Sequence, residues 1–310
     1  MTATDQDSAH RALNISVLGA AMEHADVDGH RVAYRVFGDQ GSVVLLVMGF
    51  TMPGRAWQFQ IPALAERHRV IVFDNRGVGE SGKPDGPYSM ALLARDALGL
   101  LDHLGIDTAH VVGVSMGGMV AQELALQAPQ RVRSLALIAT HAGGLLAMLP
   151  RPTGLAFFVA AQFGERERRG RALAQLLFPA GFLASVDRGW LHTTLTHDLG
   201  APAPVSTRRA QLGAIIRHRT AARLARLRHM PTLIVRPRHD LLIHPREVDR
   251  LARLLPHATI LRLEEAGHGL IRQVPERLNA ALLSHFAAVD VAPTVSTVSS
   301  VSSAQRATPA

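Results

Sequence analysis

Ser115 stands where a serine hydroxyl can be made a nucleophile. It lies in Gly113-Val114-Ser115-Met116-Gly117, after the apolar run His110-Val111-Val112 and before the helix-like Met119-Val120-Ala121-Gln122-Glu123-Leu124. A serine on a tight strand-to-helix turn has its hydroxyl lifted clear of the backbone, and such a turn admits only small residues two positions to either side, here Gly113 and Gly117. The start of the following helix adds unpaired N–H groups and a positive dipole end beside the hydroxyl, suited to the negative oxygen of a tetrahedral intermediate. An incidental serine in a glycine-rich turn needs neither the strand before it nor the helix after it.

This strand-serine-helix pattern resembles the nucleophile elbow of the α/β-hydrolase fold, in which the triad runs Ser, then Asp or Glu, then His along the chain. The resemblance implies an acid and a histidine at the ends of later strands. After Ser115, the strand-like run Pro231-Thr232-Leu233-Ile234-Val235-Arg236-Pro237 leads to Asp240, and the next one, Ala258-Thr259-Ile260-Leu261-Arg262-Leu263, leads through Glu264-Glu265 to His268. Reactive groups in such sheets collect at the carboxyl ends of neighbouring strands, which brings distant residues to one edge. Glu264 and Glu265 are rival acids, but they share the strand end of His268 itself and rank behind Asp240.

Upstream, Ser42-Val43-Val44-Leu45-Leu46-Val47-Met48 reads as a buried strand running into Gly49-Phe50-Thr51-Met52-Pro53-Gly54, which resembles the oxyanion loop of the same fold. Met48 stands where that loop usually has histidine. The loop contributes a backbone N–H, which the resemblance assigns to Phe50, with the N–H of Met116 as its partner. Arg69-Val70-Ile71-Val72-Phe73-Asp74-Asn75-Arg76-Gly77-Val78-Gly79-Glu80-Ser81 is similar to a strand and turn common in the superfamily, so the resemblance spans about residues 24–287. Gly77, Gly79 and Gly82 also spell G-x-G-x-x-G. A dinucleotide site needs a helix opening at the last glycine, whereas Lys83-Pro84-Asp85-Gly86-Pro87 follows here. No cofactor and no metal is expected.

The elements around these motifs read as an α/β protein: a doubly wound, mainly parallel sheet with a helical lid inserted in it. Asp28-Gly29 marks a hairpin between residues 22–27 and 31–37. Helical periodicity follows over 57–67 and 90–104, each separated by a strand run, as expected of a sheet covered on both faces. The alternation stops after residues 133–139, and from His141 to Arg219 come helical apolar stretches with the breakers Pro150, Pro152, Gly181, Pro202 and Pro204. Strand and helix resume with 232–235 and 247–255 and close with 276–288. The expected organisation is an N-terminal extension at 1–22, a first core part at 23–140, the lid at 141–219, a second core part at 220–288 and a disordered tail at 289–310.

Composition narrows the function classes. The 310 residues are 47% hydrophobic and contain no cysteine, so disulfides and thiolate metal sites are excluded. Residues 1–7 are polar and acidic, with no signal-peptide pattern after them, and apolar runs such as 155–161 are too short to span a bilayer, so a cytoplasmic protein without a membrane span is expected. The formal charge of +8 comes almost wholly from arginine, Lys83 being the sole lysine. Those arginines are scattered, except at Arg166-Glu167-Arg168-Arg169-Gly170-Arg171, where acids are interleaved. No base-reading motif or aromatic interleaving accompanies them, so no nucleic-acid partner is expected. His239 and His244 beside the acid lack metal-ligand spacing and read as exposed loop histidines.

A serine rather than an aspartate at 115 points to attack on a carbonyl, and away from the haloalkane dehalogenase and epoxide hydrolase branches. Within the superfamily the chain resembles small Ser-Met-Gly-Gly enzymes: enol-lactonases, carboxylesterases and cofactor-free haloperoxidases. The resemblance implies a serine hydrolase acting on an ester or lactone, and the apolar stretches 145–149, 155–163 and 173–182 of the lid point to an uncharged, largely apolar small molecule. Perhydrolysis or halogenation and C–C bond hydrolysis use the same triad and remain alternatives, and a non-catalytic binder would need none of the three residues. Phe157, Phe158, Phe163, Phe178, Phe182 and Trp190 are expected mostly in the core of the lid, with a minority facing substrate.

Overall fold

The computed structural model describes residues 21–144, 147, 151–199 and 203–291. The hairpin comes first, β1 (Glu23–Val27) and β2 (His30–Phe37), and both of its turn residues, Asp28 and Gly29, have positive φ, the geometry that matches strand twist. Then follow β3 (Val43–Val47), a short helix α1 (Ile61–Ala65), β4 (Arg69–Phe73), α2 (Met90–His103), β5 (Ala109–Val114), α3 (Met116–Gln127) and β6 (Val132–Ile138). Five helices come next: α4 (Pro152–Ala160), α5 (Arg166–Leu177), α6 (Ala180–Ser185), α7 (Arg188–Leu199) and α8 (Val205–Arg217). The chain closes with β7 (Thr232–Pro237), α9 (Pro245–Leu254), β8 (Thr259–Leu263), α10 (Leu270–Gln273) and α11 (Pro275–Asp290).

The eight strands form one sheet in the order β1-β2-β4-β3-β5-β6-β7-β8, with β1 and β2 antiparallel and the rest parallel. Its central strands are continuous apolar runs because both faces are covered. Leu45, Val47, Val111, Leu135 and Leu137 pack on one side with α2 and α3, while Val44, Leu46, Val112, Ala136 and Ile138 pack on the other with Trp57, Ile61 and the Leu278, Leu282 and Phe286 face of α11. The alternation of side chains along a strand thus assigns each residue to one of two cores.

The helical periodicity over 57–67 is split in two. Residues Gly54–Trp57 form a single 3-10 turn and α1 starts only at Ile61, because Pro62 has no N–H to give a helix arriving from residue 58 and its ring clashes with the carbonyl there. The helices α4 to α8 occupy the interval between β6 and β7, and its two ends meet in a bridge between Gly143 and Arg219. Residues 1–20 and 292–310, which hold most of the expected extension and tail, lie outside the described residues, as do residues 145, 146, 148–150 and 200–202 of the interval. No helix among the described residues is long and apolar enough to cross a membrane.

Opposite the Ser115 edge, the last helix is clamped to the sheet by charge. Asp290 accepts hydrogen bonds from Ser42 Oγ at 2.7 Å and Arg133 Nη2 at 2.6 Å, and its Oδ1 lies 3.1 Å from Nε2 of the buried His110. Burial lowers the pKa of His110 to about 4. It lowers His141 likewise to about 4, and His218 to about 3, the latter two rings lying 6.0 Å apart just past the end of β6. An unfolded histidine takes its proton near pH 6.5, so these three bind protons more readily in the unfolded chain. The stability they contribute is complete above about pH 6.5 and is lost as pH falls towards 4. Thermal melts are therefore expected to lose several degrees in Tm between pH 7 and pH 4.5, and replacing His141 and His218 by residues that do not titrate should flatten that slope; an unchanged slope would contradict the assignment.

Candidate active site

Ser115 occupies the junction of β5 and α3 with φ 56° and ψ −121°, a conformation that a non-glycine residue holds only under constraint. The constraint is close packing on both sides. A Cβ at Gly113 would meet the Gly117 carbonyl oxygen at 2.3 Å, and one at Gly117 would meet the Val47 carbonyl oxygen at 2.1 Å. Backbone bonds fix the turn further: Ser115 N–H donates to Ile138 O at 2.9 Å, and the Ser115 carbonyl accepts from Gly118 N–H at 3.0 Å and Thr140 Oγ1 at 2.8 Å.

His268 and Asp240 come together at the carboxyl ends of β7 and β8. Nδ1 of His268 lies 2.7 Å from Asp240 Oδ2, and both side chains are buried. The other carboxylate oxygen, Oδ1, accepts the N–H groups of Leu242 and Ile243, each at 2.8 Å, so the acid is held by its own loop. With Nδ1 engaged by a carboxylate, Nε2 is the ring nitrogen left for other chemistry. Glu264 and Glu265 face elsewhere, the first bonded to Arg238 and the second to Arg277. His244 caps α9 by accepting the Arg246 N–H, and no metal-type cluster occurs among the described residues.

Ser115 and His268 open on one cavity of about 150 Å³, which the loop bearing Gly49 and Phe50 also lines. Among the described residues, the Phe50 and Met116 N–H groups make no backbone hydrogen bond outside the helices and strands. The turn after β4 braces this loop, a role no motif announced. Buried Asn75 donates to the Met48 carbonyl at 2.9 Å, and buried Asp74 accepts the N–H groups of Gly54 at 2.8 Å and Glu80 at 2.9 Å. Burial raises the Asp74 pKa against the pull of those two donors. A Cβ at Gly79 would sit 1.9 Å from Asp74 Oδ2, so the middle glycine of the G-x-G-x-x-G string makes room for a carboxylate. From the other side, Gln211 on α8 accepts the Thr51 N–H at 2.9 Å.

The interval between β6 and β7 supplies the rest of the cavity. Phe158 lines it with its ring tilted against that of Phe50 at 5.8 Å, Phe178, Phe182 and Trp190 form a separate ring cluster, and Phe163 is exposed. Leu173, Leu176 and Leu177 face the cavity, and so do Arg169, Arg208 and Arg272. Arg208 and Arg272 were missed in the sequence, where they sit among scattered arginines with no local signature, and Arg169 lies in the 166–171 cluster, which the sequence raises only as a nucleic-acid contact.

Residues 42–271 match the α/β-hydrolase fold family, and the chain belongs to that family. The family and the relatives together support a hydrolase. RutD of Azorhizobium caulinodans, a protein named as a carbamate hydrolase, is 30% identical over 266 residues, which is 83% of this chain and 95% of RutD. Among solved structures, a thermophilic esterase from Thermogutta terrifontis is 26% identical with a TM-score of 0.73, covering 87% of this chain and 100% of its own. Est816, described as an N-acyl homoserine lactone degrading enzyme, is 27% identical with a TM-score of 0.71, covering 84% of this chain and 99% of its own.

The packing at the elbow has a measurable consequence. Gly113→Ala forces a backbone carbonyl to move by several tenths of an ångström and should cost about 1–3 kcal/mol, as overpacking does. A Tm lowered by several degrees in differential scanning calorimetry is expected; an unchanged Tm would mean the turn is looser than its geometry indicates.

Proposed function

We propose that Ser115, His268 and Asp240 form a catalytic triad that hydrolyses an ester or lactone of a small molecule with an apolar skeleton. One observation carries this: a constrained Ser115 shares a cavity with a histidine whose far nitrogen is bound by a buried carboxylate. His268 Nε2 takes the Ser115 proton as Oγ attacks the carbonyl carbon, and returns it to the leaving oxygen as the carbon–oxygen bond breaks. Asp240 fixes the tautomer of His268 and stabilises its charged form. The N–H groups of Phe50 and Met116 receive the oxyanion, with the start of α3 adding its dipole. A water, deprotonated by the same His268, then releases the acyl group and regenerates Ser115. Carbamates present a carbonyl to the same groups and are the second reading, favoured by the likeness to RutD.

A fluorophosphonate probe should label Ser115 stoichiometrically, and Ser115→Ala should abolish both labelling and turnover. Asp240→Asn is expected to lower kcat by on the order of a thousandfold or more while leaving the melt intact. Glu264→Gln and Glu265→Gln should change kcat by less than about twofold. Activity retained in Ser115→Ala, or a crippled Glu264→Gln beside an active Asp240→Asn, would sink the assignment.

The cavity of about 150 Å³ is smaller than the roughly 300–1,000 Å³ of drug-sized sites, so it takes a short to medium acyl group. With about 0.8 kcal/mol per buried methylene, kcat/KM for p-nitrophenyl esters should rise about ten- to hundredfold from two to six acyl carbons and fall for much longer chains. A panel in which acetate is best, or in which only the matching carbamates turn over, would shift the substrate to the second reading or to a smaller acyl group.

A further inference from the structure

The cavity at Ser115 is charged as well as apolar. Arg169, Arg208 and Arg272 are among its described lining residues, and no aspartate or glutamate is. Two of these arginines, one on α5 and one on α8, are fastened to a single turn. Arg169 Nε donates to the Ala161 carbonyl at 3.1 Å, and Arg208 Nη1 donates to the carbonyl of Gln162 at 3.2 Å and to its Oε1 at 3.3 Å. Ala161 and Gln162 line the cavity themselves. The two guanidiniums are thereby gathered at one wall.

Three other partly buried arginines among the described residues are neutralised: Arg76 by Asp96, Arg223 by Glu123 and Arg236 by Asp249. Arg169 and Arg208 have no such acid among the described residues, and Nε of Arg208 is buried without a protein acceptor. Carbonyl oxygens orient a guanidinium but bring no net charge, and two cations gathered in a partly dehydrated space repel each other unless an anion joins them. A guanidinium presents a planar fork of donors that matches the two oxygens of a carboxylate. The same cavity is also lined by hydrocarbon, Leu173, Leu176, Leu177 and Ile271 among it.

We propose that the substrate carries a carboxylate, held by Arg208 together with Arg169, on a short apolar skeleton whose other end presents its ester or lactone carbonyl to Ser115. This rests on the acyl-transfer reading of Ser115 and names the substrate class for it. It replaces the wholly uncharged substrate expected from the sequence. The half-ester of a dicarboxylic acid, or a lactone bearing a carboxylate, has the required pattern of anion, hydrocarbon and carbonyl.

The test compares 4-nitrophenyl hydrogen adipate with its neutral counterpart, 4-nitrophenyl methyl adipate, which has the same chain and leaving group. The parent protein should favour the charged ester at least about tenfold in kcat/KM, mostly through KM, as loss or gain of a charge-assisted hydrogen bond does. Arg208→Met should collapse that ratio to about one or below, and Arg208→Lys, which keeps the charge but not the fork, should retain part of it. Fluorophosphonate labelling of Ser115 reports whether each variant is folded, and Arg169→Met serves if methionine at 208 unfolds the chain. A parent ratio of one or less, or a ratio untouched by both methionine variants, overturns the proposal. Calorimetry with monomethyl adipate on Ser115→Ala separates the two readings if neither ester turns over. Binding abolished by adding Arg208→Met then keeps the carboxylate site while the acyl-transfer reading falls, and no binding at all removes the carboxylate site.

Discussion

Everything at this site depends on how closely the end of β3 approaches the start of α3. The Val47 carbonyl passes Gly117 at a distance that leaves no room for a side chain, and the Gly117 carbonyl does the same to Gly113. That contact compresses the strand-to-helix junction and holds Ser115 at positive φ, which is tolerable only because the surrounding sheet overdetermines it. The same approach sets the loop after β3 against the first turn of α3, and that loop borders one cavity together with Ser115. A hydroxyl, the start of its helix and the neighbouring loop are placed by a single packing constraint.

The loop after β3 would be weakly determined on its own, since Met48 gives it no polar anchor. Its fixing comes from the neighbouring strand. Asp74 and Asn75 leave β4 buried and spend their polar groups on Gly54, Glu80 and the Met48 carbonyl, so the cost of burying a carboxylate is offset by backbone donors that would otherwise go unpaired. Gln211 then ties the far side of the loop to α8 through the Thr51 N–H and the Arg76 carbonyl. The helices between β6 and β7 are in this way coupled to the loop beside Ser115, and a change in their packing reaches it through one hydrogen-bonded side chain.

Core and insertion divide the work along physical lines. Ser115, Asp240 and His268, to which we assign the proton and the developing charge, sit on strand ends, where parallel pairing holds them rigidly. The remaining cavity wall comes largely from α4, α5 and α8, joined to one another by side chains and a single turn. Hydrocarbon from α5 and guanidinium groups from α5 and α8 give that wall its mixed character, and the aromatic cluster of Phe178, Phe182 and Trp190 packs beside it.

The sequence by itself determined what depends on local spacing. Unbroken apolar runs, glycines flanking Ser115, and the hairpin at Asp28-Gly29 are each local features of a few residues, and the strands and turns they imply are where the structure has them. The meeting of His268 with Asp240 was anticipated from chain order, since parallel strands bring their carboxyl ends to one edge whatever the intervening length. What only the tertiary structure decided is long-range and without period. Asn75 on the Met48 carbonyl, Gln211 on Thr51, and Arg169 and Arg208 on the turn at Ala161 and Gln162 pair residues through single side chains. A lone polar residue carries no pattern that distinguishes a solvated face from a buried contact, so its role exists only once packing has chosen its neighbour.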